Sequence, residues 1–226
     1  MAITKNGSTY SQGAASVNST TWTSGSFAIA SGTNRVLVVS VMVSSTSALT
    51  VPSATGLKWG GSGGTALTKV GYQQDAPDYV EVSLWYLIAP TVQTSTLYLT
   101  SADTMDACAV VATVWDGAAQ STPFSGFAGN YASWAYDHDV TVSSATDSLV
   151  IDAIMTAHTI VCQQTQDALV YAGALNLGQS HKAGAASVVM NWIYDSCSHA
   201  IGAASLAPYV GGGGDHINIA LAVGGS

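Results

Sequence analysis

Two alternating runs joined by a proline turn, residues 80–101 (VEVSLWYLIAPTVQTSTLYLTS), constrain this chain most. Val80, Val82, Leu84, Tyr86 and Ile88 fall on one side of an extended backbone, and Glu81, Ser83, Trp85 and Leu87 on the other. Beyond the turn at residues 89–93, Leu97 and Leu99 alternate with Thr96, Tyr98 and Thr100. A period of two in runs rich in β-branched and aromatic residues predicts an antiparallel hairpin, with Glu81 and Trp85 facing outward. No long segment carries a 3.6-residue period, so the chain reads as all-β.

Other segments extend this reading. Residues 36–43 (VLVVSVMV) and 105–115 are nearly continuous apolar runs, which predicts strands covered on both faces. Residues 137–143 and 149–156 read as further strands, and Val188, Met190 and Trp192 share one face of another. Residues 44–67 form a long connection with a glycine-rich hairpin tip at 59–64, which lacks the Lys-Ser/Thr ending of a phosphate loop. Residues 116–136 read as an irregular loop loaded with Phe124, Phe127, Tyr131, Trp134 and Tyr136, and 176–184 as a loop carrying His181.

Three regions follow. Residues 1–30 are an N-terminal arm with two short strands, pinned by Trp22. Residues 31–208 are a single β-domain, the expected extent for one all-β unit of this size. Residues 209–226 are a glycine-rich linker and a last strand, in which Ile217, Ile219 and Leu221 alternate with smaller residues. The expected architecture is a two-sheet antiparallel sandwich, jelly-roll-like, with that strand tethered to it.

Only 8% of residues are charged, against about 25% in an average globular protein. Surface polarity must then come from Ser, Thr, Asn and Gln, which suits a protein covered by partners. The net charge is −8, and Lys5, Arg35, Lys58, Lys69 and Lys182 are scattered. Without a basic cluster, neither nucleic acid nor an anionic membrane is an expected partner. Three distant cysteines, Cys108, Cys162 and Cys197, predict buried free thiols. The first residues lack the pattern of a secretory leader, and no apolar run approaches a membrane span. Synthesis in a cytoplasm is therefore expected.

Catalytic signatures are sparse. Asp137-His138-Asp139 is the densest ligand cluster, but a strand would turn the two Asp to one face and His138 to the other. In a loop the same residues would suit Ca²⁺. The five histidines lack HxH or HxxxH spacing for zinc. There is no GxSxG elbow, and Glu81 is the sole glutamate, which provides poorly for the paired carboxylates of a glycosidase. No enzymatic activity, cofactor or metal is expected.

The order of motifs resembles a jelly-roll-like β-sandwich domain of bacterial surface proteins and tailed-phage structural proteins. The matching pieces are residues 34–39 (NRVLVV), 66–71 (ALTKVG), 82–90 (VSLWYLIAP), 115–117 (WDG) and 121–124 (STPF). They continue through 140–142 (VTV), 147–152 (DSLVID) and 203–208 (AASLAP). The resemblance implies a structural role, here a capsid decoration or cement protein of a tailed-phage virion, homo-oligomeric and bound to the shell through arms and sheet edges. The expected contacts are Ile3, Ile217, Ile219 and Leu221 on the arms, with Phe124, Phe127, Tyr131 and Trp134 in the aromatic loop. Two alternatives stand beside it. One is a carbohydrate- or receptor-binding module of a tail fibre or extracellular protein, using Trp59, Tyr131 and Trp134. The other is a strand-exchanged subunit of an extracellular filament.

Overall fold

A computed structural model describes residues 1–45, 51–75, 79–158 and 160–211, with the side chains of 133–136 and 194–197 outside the description. The first half of the chain supplies β1 (Thr4–Thr23), β2 (Phe27–Ala28), β3 (Val36–Ser44), β4 (Ala54–Trp59), β5 (Thr65–Ala66), β6 (Thr68–Asp75), β7 (Val80–Ile88), β8 (Thr94–Ser95) and β9 (Leu97–Asp116). The second half supplies β10 (Phe124–Val142), β11 (Leu149–Thr156), β12 (Val161–Cys162), β13 (Thr165–Ala172), β14 (Leu175–Ala183) and β15 (Val188–Leu206). The fold is all-β, and its two large sheets are antiparallel throughout.

Each half builds its own sheet, in the same strand order. The first runs β1-β9-β3-β7-β6 and the second β10-β15-β11-β14-β13. The match extends to details of register. Val36 pairs with Ile88 and Trp115, as Leu149 pairs with Ala183 and Leu206. On that alignment both edge hairpins carry a bulge at the same place, Lys69/Gly71 in one and Gln166/Ala168 in the other. Both long edge strands break register just after their start, at Asn6 and at Ser125, and both place a glycine there with positive φ, Gly7 at 74° and Gly126 at 65°. Only glycine adopts that conformation without strain.

Strands of 19 and 20 residues cannot stay flat, and bulges add twist. Each sheet therefore curls. The far part of β9 takes up β4, and Leu57, Trp59, Leu97 and Leu99 close over Leu37, Val39, Val41 and Val43 of β3. The far part of β15 takes up β12 in the same way, over an interior built from Val150, Ile154, Met190, Trp192 and Ile201. A third core lies between the sheets, where Val38, Val82, Val111 and Trp115 meet Ile151, Met155, Leu177 and Leu206. Every residue of β3 is buried, as its continuous apolar run predicts. Full burial of such side chains contributes roughly 1.5–3 kcal/mol each.

Several expectations are corrected. Both runs in 80–101 are strands, but they do not form a hairpin, because β3 lies between β7 and β9. The connection instead holds β8, which pairs with β2. Residues 1–30 are not an arm with short strands, since most of them form the edge strand β1, and Trp22 packs into the first curl. The expected loop at 116–136 becomes strand β10 from Phe124 onward, and the expected loop at 176–184 is β14. Glu81 is fully buried, because the curl covers the face that a flat sheet would leave to solvent.

Candidate functional site

The four edge strands close on each other. β1 runs beside β13, and β10 beside β6. The first seam is ionic: Lys5 Nζ lies 2.8 Å from Asp167, which also bonds His181 Nδ1 at 3.0 Å, and the His181 ring stands edge-on to Trp115 at 4.9 Å. The second seam is aromatic: Phe124 packs on Tyr86 at 5.6 Å, and Phe127 inserts where a Cβ at Gly71 or Gly202 would collide with its ring. These contacts occupy equivalent places, because Lys5 aligns with Phe124 and His181 with Tyr86. Closing the edges in this way removes templates for uncontrolled strand pairing.

Buried polar groups divide unequally. In the first sheet Glu81 accepts from Lys69 at 3.0 Å, Ser53 at 2.8 Å, the Ala54 N–H at 3.2 Å and Gln74 at 3.2 Å. The Lys69 ammonium also lies 4.9 Å from the Trp85 ring centre. In the second sheet Asp152 has no cation. Its carboxyl accepts from the Ser180 N–H at 2.8 Å, the Ser180 hydroxyl at 2.7 Å, Trp192 Nε1 at 2.8 Å and Gln164 at 3.2 Å. Burial pushes Asp152 up to about 7 against the lowering pull of those hydrogen bonds. On the same concave face the His138 and His199 rings meet, both fully buried, with ring centres 3.8 Å apart and planes tilted by 50°. Burial and the neighbouring ring hold His199 down to about 3, and burial lowers His138 against the pull of Asp137 and Asp139.

Asp137 and Asp139 are exposed while His138 points inward, so the three do not converge. Among the described residues no group of three or more His, Cys, Asp or Glu is placed to hold a metal. Cys108 is buried, with its thiol pushed up to about 12, and Cys162 is half-buried. Both are free.

The expected contact residues part company. Phe124, at 8% exposure, and Phe127 are spent inside the second seam. Ile3 packs against the shared core, and Trp59 is 1% exposed in the first curl, which removes it from any sugar platform. Tyr131 does face solvent, at 55%. The Trp134 side chain, and Ile217, Ile219 and Leu221, lie outside the described residues.

One open region is the pole where the two ends of the described chain meet. The Tyr209 N–H donates to Gly117 at 2.7 Å, Ala118 bridges to Pro208, and the Met1 ammonium lies 3.4 Å from the Tyr209 carbonyl. Two shallow grooves of about 450 and 490 Å³ flank this junction, one beside Ile3 and Leu149, the other beside Gln120 and Val210. Val210 is 81% exposed. Each of the five cationic side chains is meanwhile occupied inside its own chain: Lys5 and Lys69 by carboxylates, and Arg35, Lys58 and Lys182 by the carbonyls of Ala30, Ser62 and Val189. Scans against protein-family models, curated proteins and solved structures find no match to this chain.

Proposed function

We propose that this chain is a non-enzymatic structural protein of a tailed-phage particle, a capsid decoration or cement protein built on a jelly-roll-like sandwich. It works by attaching a preformed β-body to copies of itself and to a shell. The observation that supports the reading is the junction of Met1, Gly117 and Tyr209, just before the glycine-rich run in the sequence. In sequence the glycine run is followed by an alternating apolar pattern, Ile217, Ile219 and Leu221, which is expected to act as a strand with one face to bury. Main-chain pairing of such a strand with a neighbouring chain gains about 1 kcal/mol net per hydrogen bond and roughly 1.5–3 kcal/mol per buried Ile or Leu. Internal use of all five cations and a surface of neutral polar groups support a body made to be packed rather than to bind polyanions.

The structure places the informative truncation after Val210, since Tyr209 still serves the fold. Light scattering on the full chain and on residues 1–210 tests the proposal. An oligomeric full chain beside a folded monomeric truncation is the expected result. Identical monomers would remove the tail as an assembly device.

A further inference from the structure

We infer that Asn6 is a spontaneous modification site, and that its conversion to aspartate or isoaspartate unclasps the first edge strand from the body. The side-chain amide of Asn6 acts as a clamp at the start of β1. Its Nδ2 donates to both oxygens of Asp116, at 2.9 and 3.0 Å, and to the Ser31 carbonyl at 3.0 Å. One group thereby ties β1 to the end of β9 and to the turn before β3. That turn passes so close that a Cβ at Gly32 would collide with both Asn6 Nδ2 and the Asp116 carboxylate.

The residue after Asn6 exposes this clamp to chemistry. Of the seven asparagines in the chain, Asn6 alone is followed by glycine. Glycine has no Cβ to shield its main-chain nitrogen from the preceding side chain. The ladder with β9 pairs Asn6 with Val114 and resumes only at Tyr10 with Ala112, so it skips Gly7. Gly7 is exposed, and no atom lies within 4 Å of the place its Cβ would take. Water and base therefore reach the Asn6–Gly7 bond. Two related pairs lack this combination. Asp116 also precedes a glycine, but the Gly117 N–H donates to the Thr33 carbonyl at 2.9 Å. At the equivalent place in the second half Gly126 follows Ser125, which has no amide to lose.

The reaction needs only solvent. A base removes the Gly7 N–H proton, and the nitrogen attacks Cγ of Asn6. A Cγ–N bond forms, the Cγ–Nδ2 bond breaks, and Nδ2 takes up a proton and leaves as ammonia. Water then opens the cyclic imide at either carbonyl, giving aspartate or isoaspartate. While the clamp is shut its three hydrogen bonds fix the amide, so ring closure waits for an opening. The product cannot shut it again, because a carboxylate then faces Asp116 and like charges repel. Among the described residues no cation pairs with Asp116, and Arg35, in the segment leading to β3, bonds the Ala30 carbonyl. Conversion thus frees the strand that carries Lys5 to the ionic seam.

Peptide mapping by mass spectrometry on the full chain at pH 8.5, folded and in urea, tests this without a variant. Asn6 should convert in the folded chain about ten- to a hundredfold more slowly than in urea, the factor that hydrogen bonds to a charged group supply. Gly32→Ala, which pushes into the clamp without touching the reacting atoms, should speed the folded reaction about tenfold. Asn6→Asp supplies one product directly, and hydrogen exchange should then show β1 about tenfold less protected while β10 is unchanged. Conversion as fast in the folded chain as in urea would overturn the clamp. No conversion within about a thousand of the urea half-times would overturn the site. So would an unchanged rate in Gly32→Ala, or full protection of β1 in Asn6→Asp.

Discussion

Where the first sheet carries Val39 between Trp85 and Ala112, the second carries Asp152 between Ser180 and Ala203. Where the first carries Cys108 opposite Val43, the second carries His199 opposite Thr156. The strand order, the edge bulge and the left-handed glycine are shared, while the residues filling the two curls are not. Register and bulges thus hold the architecture, and the interior of a curl can be filled by apolar or by polar side chains. In the second curl Asp152 is the shared acceptor of Ser180, Trp192 and Gln164.

The sharpest way to break that comparison is to copy one half into the other. Asp152→Val reproduces the residue of the first sheet but orphans the Trp192 and Ser180 donors. It should cost roughly 3–5 kcal/mol by chemical denaturation, since each unsatisfied buried group carries its own desolvation penalty. A cost below about 1 kcal/mol would mean that the two interiors are interchangeable.

The seams give the next contrast. Phe127→Ala empties the space between Gly71 and Gly202 and should cost about 3 kcal/mol, the low end for such a change because the ring is only partly buried. Lys5→Met, at the equivalent seam, should cost at most about 1 kcal/mol and should depend on salt, because Lys5 is 31% exposed. Thermal melts of both variants at low and high ionic strength would show it. If Lys5→Met proves the costlier of the two, the ionic seam is the one that closes the body.

Much of the fold was legible in the sequence. The apolar runs at 36–43 and 105–115 predicted central strands, and the Val188–Met190–Trp192 alternation predicted the buried face of β15. Strand partners were not legible. The runs at 80–88 and 97–101 are neighbours in sequence but are separated in space by β3, and only tertiary pairing decides that. The shared strand order was hidden as well, because equivalent positions such as Val39 and Asp152 have no chemistry in common. Glu81 and His199 were misjudged or missed for a single reason. Period-two alternation assigns a face, but it does not say whether a curling sheet will cover that face. The pole at Met1 and Tyr209 joins the two ends of the described chain, and no local pattern announces such a contact.

In each half, the strand made first is paired by the strand made last: Thr4 with Asp116, and Phe124 with Leu206. During synthesis at about 5–20 residues per second, β1 waits on the order of ten seconds for β9. The first sheet can then be complete before most of the second exists. The nascent chain thus emerges as two successive closures, and the second half meets a finished template whose edges, β1 and β6, are already in place to receive β13 and β10.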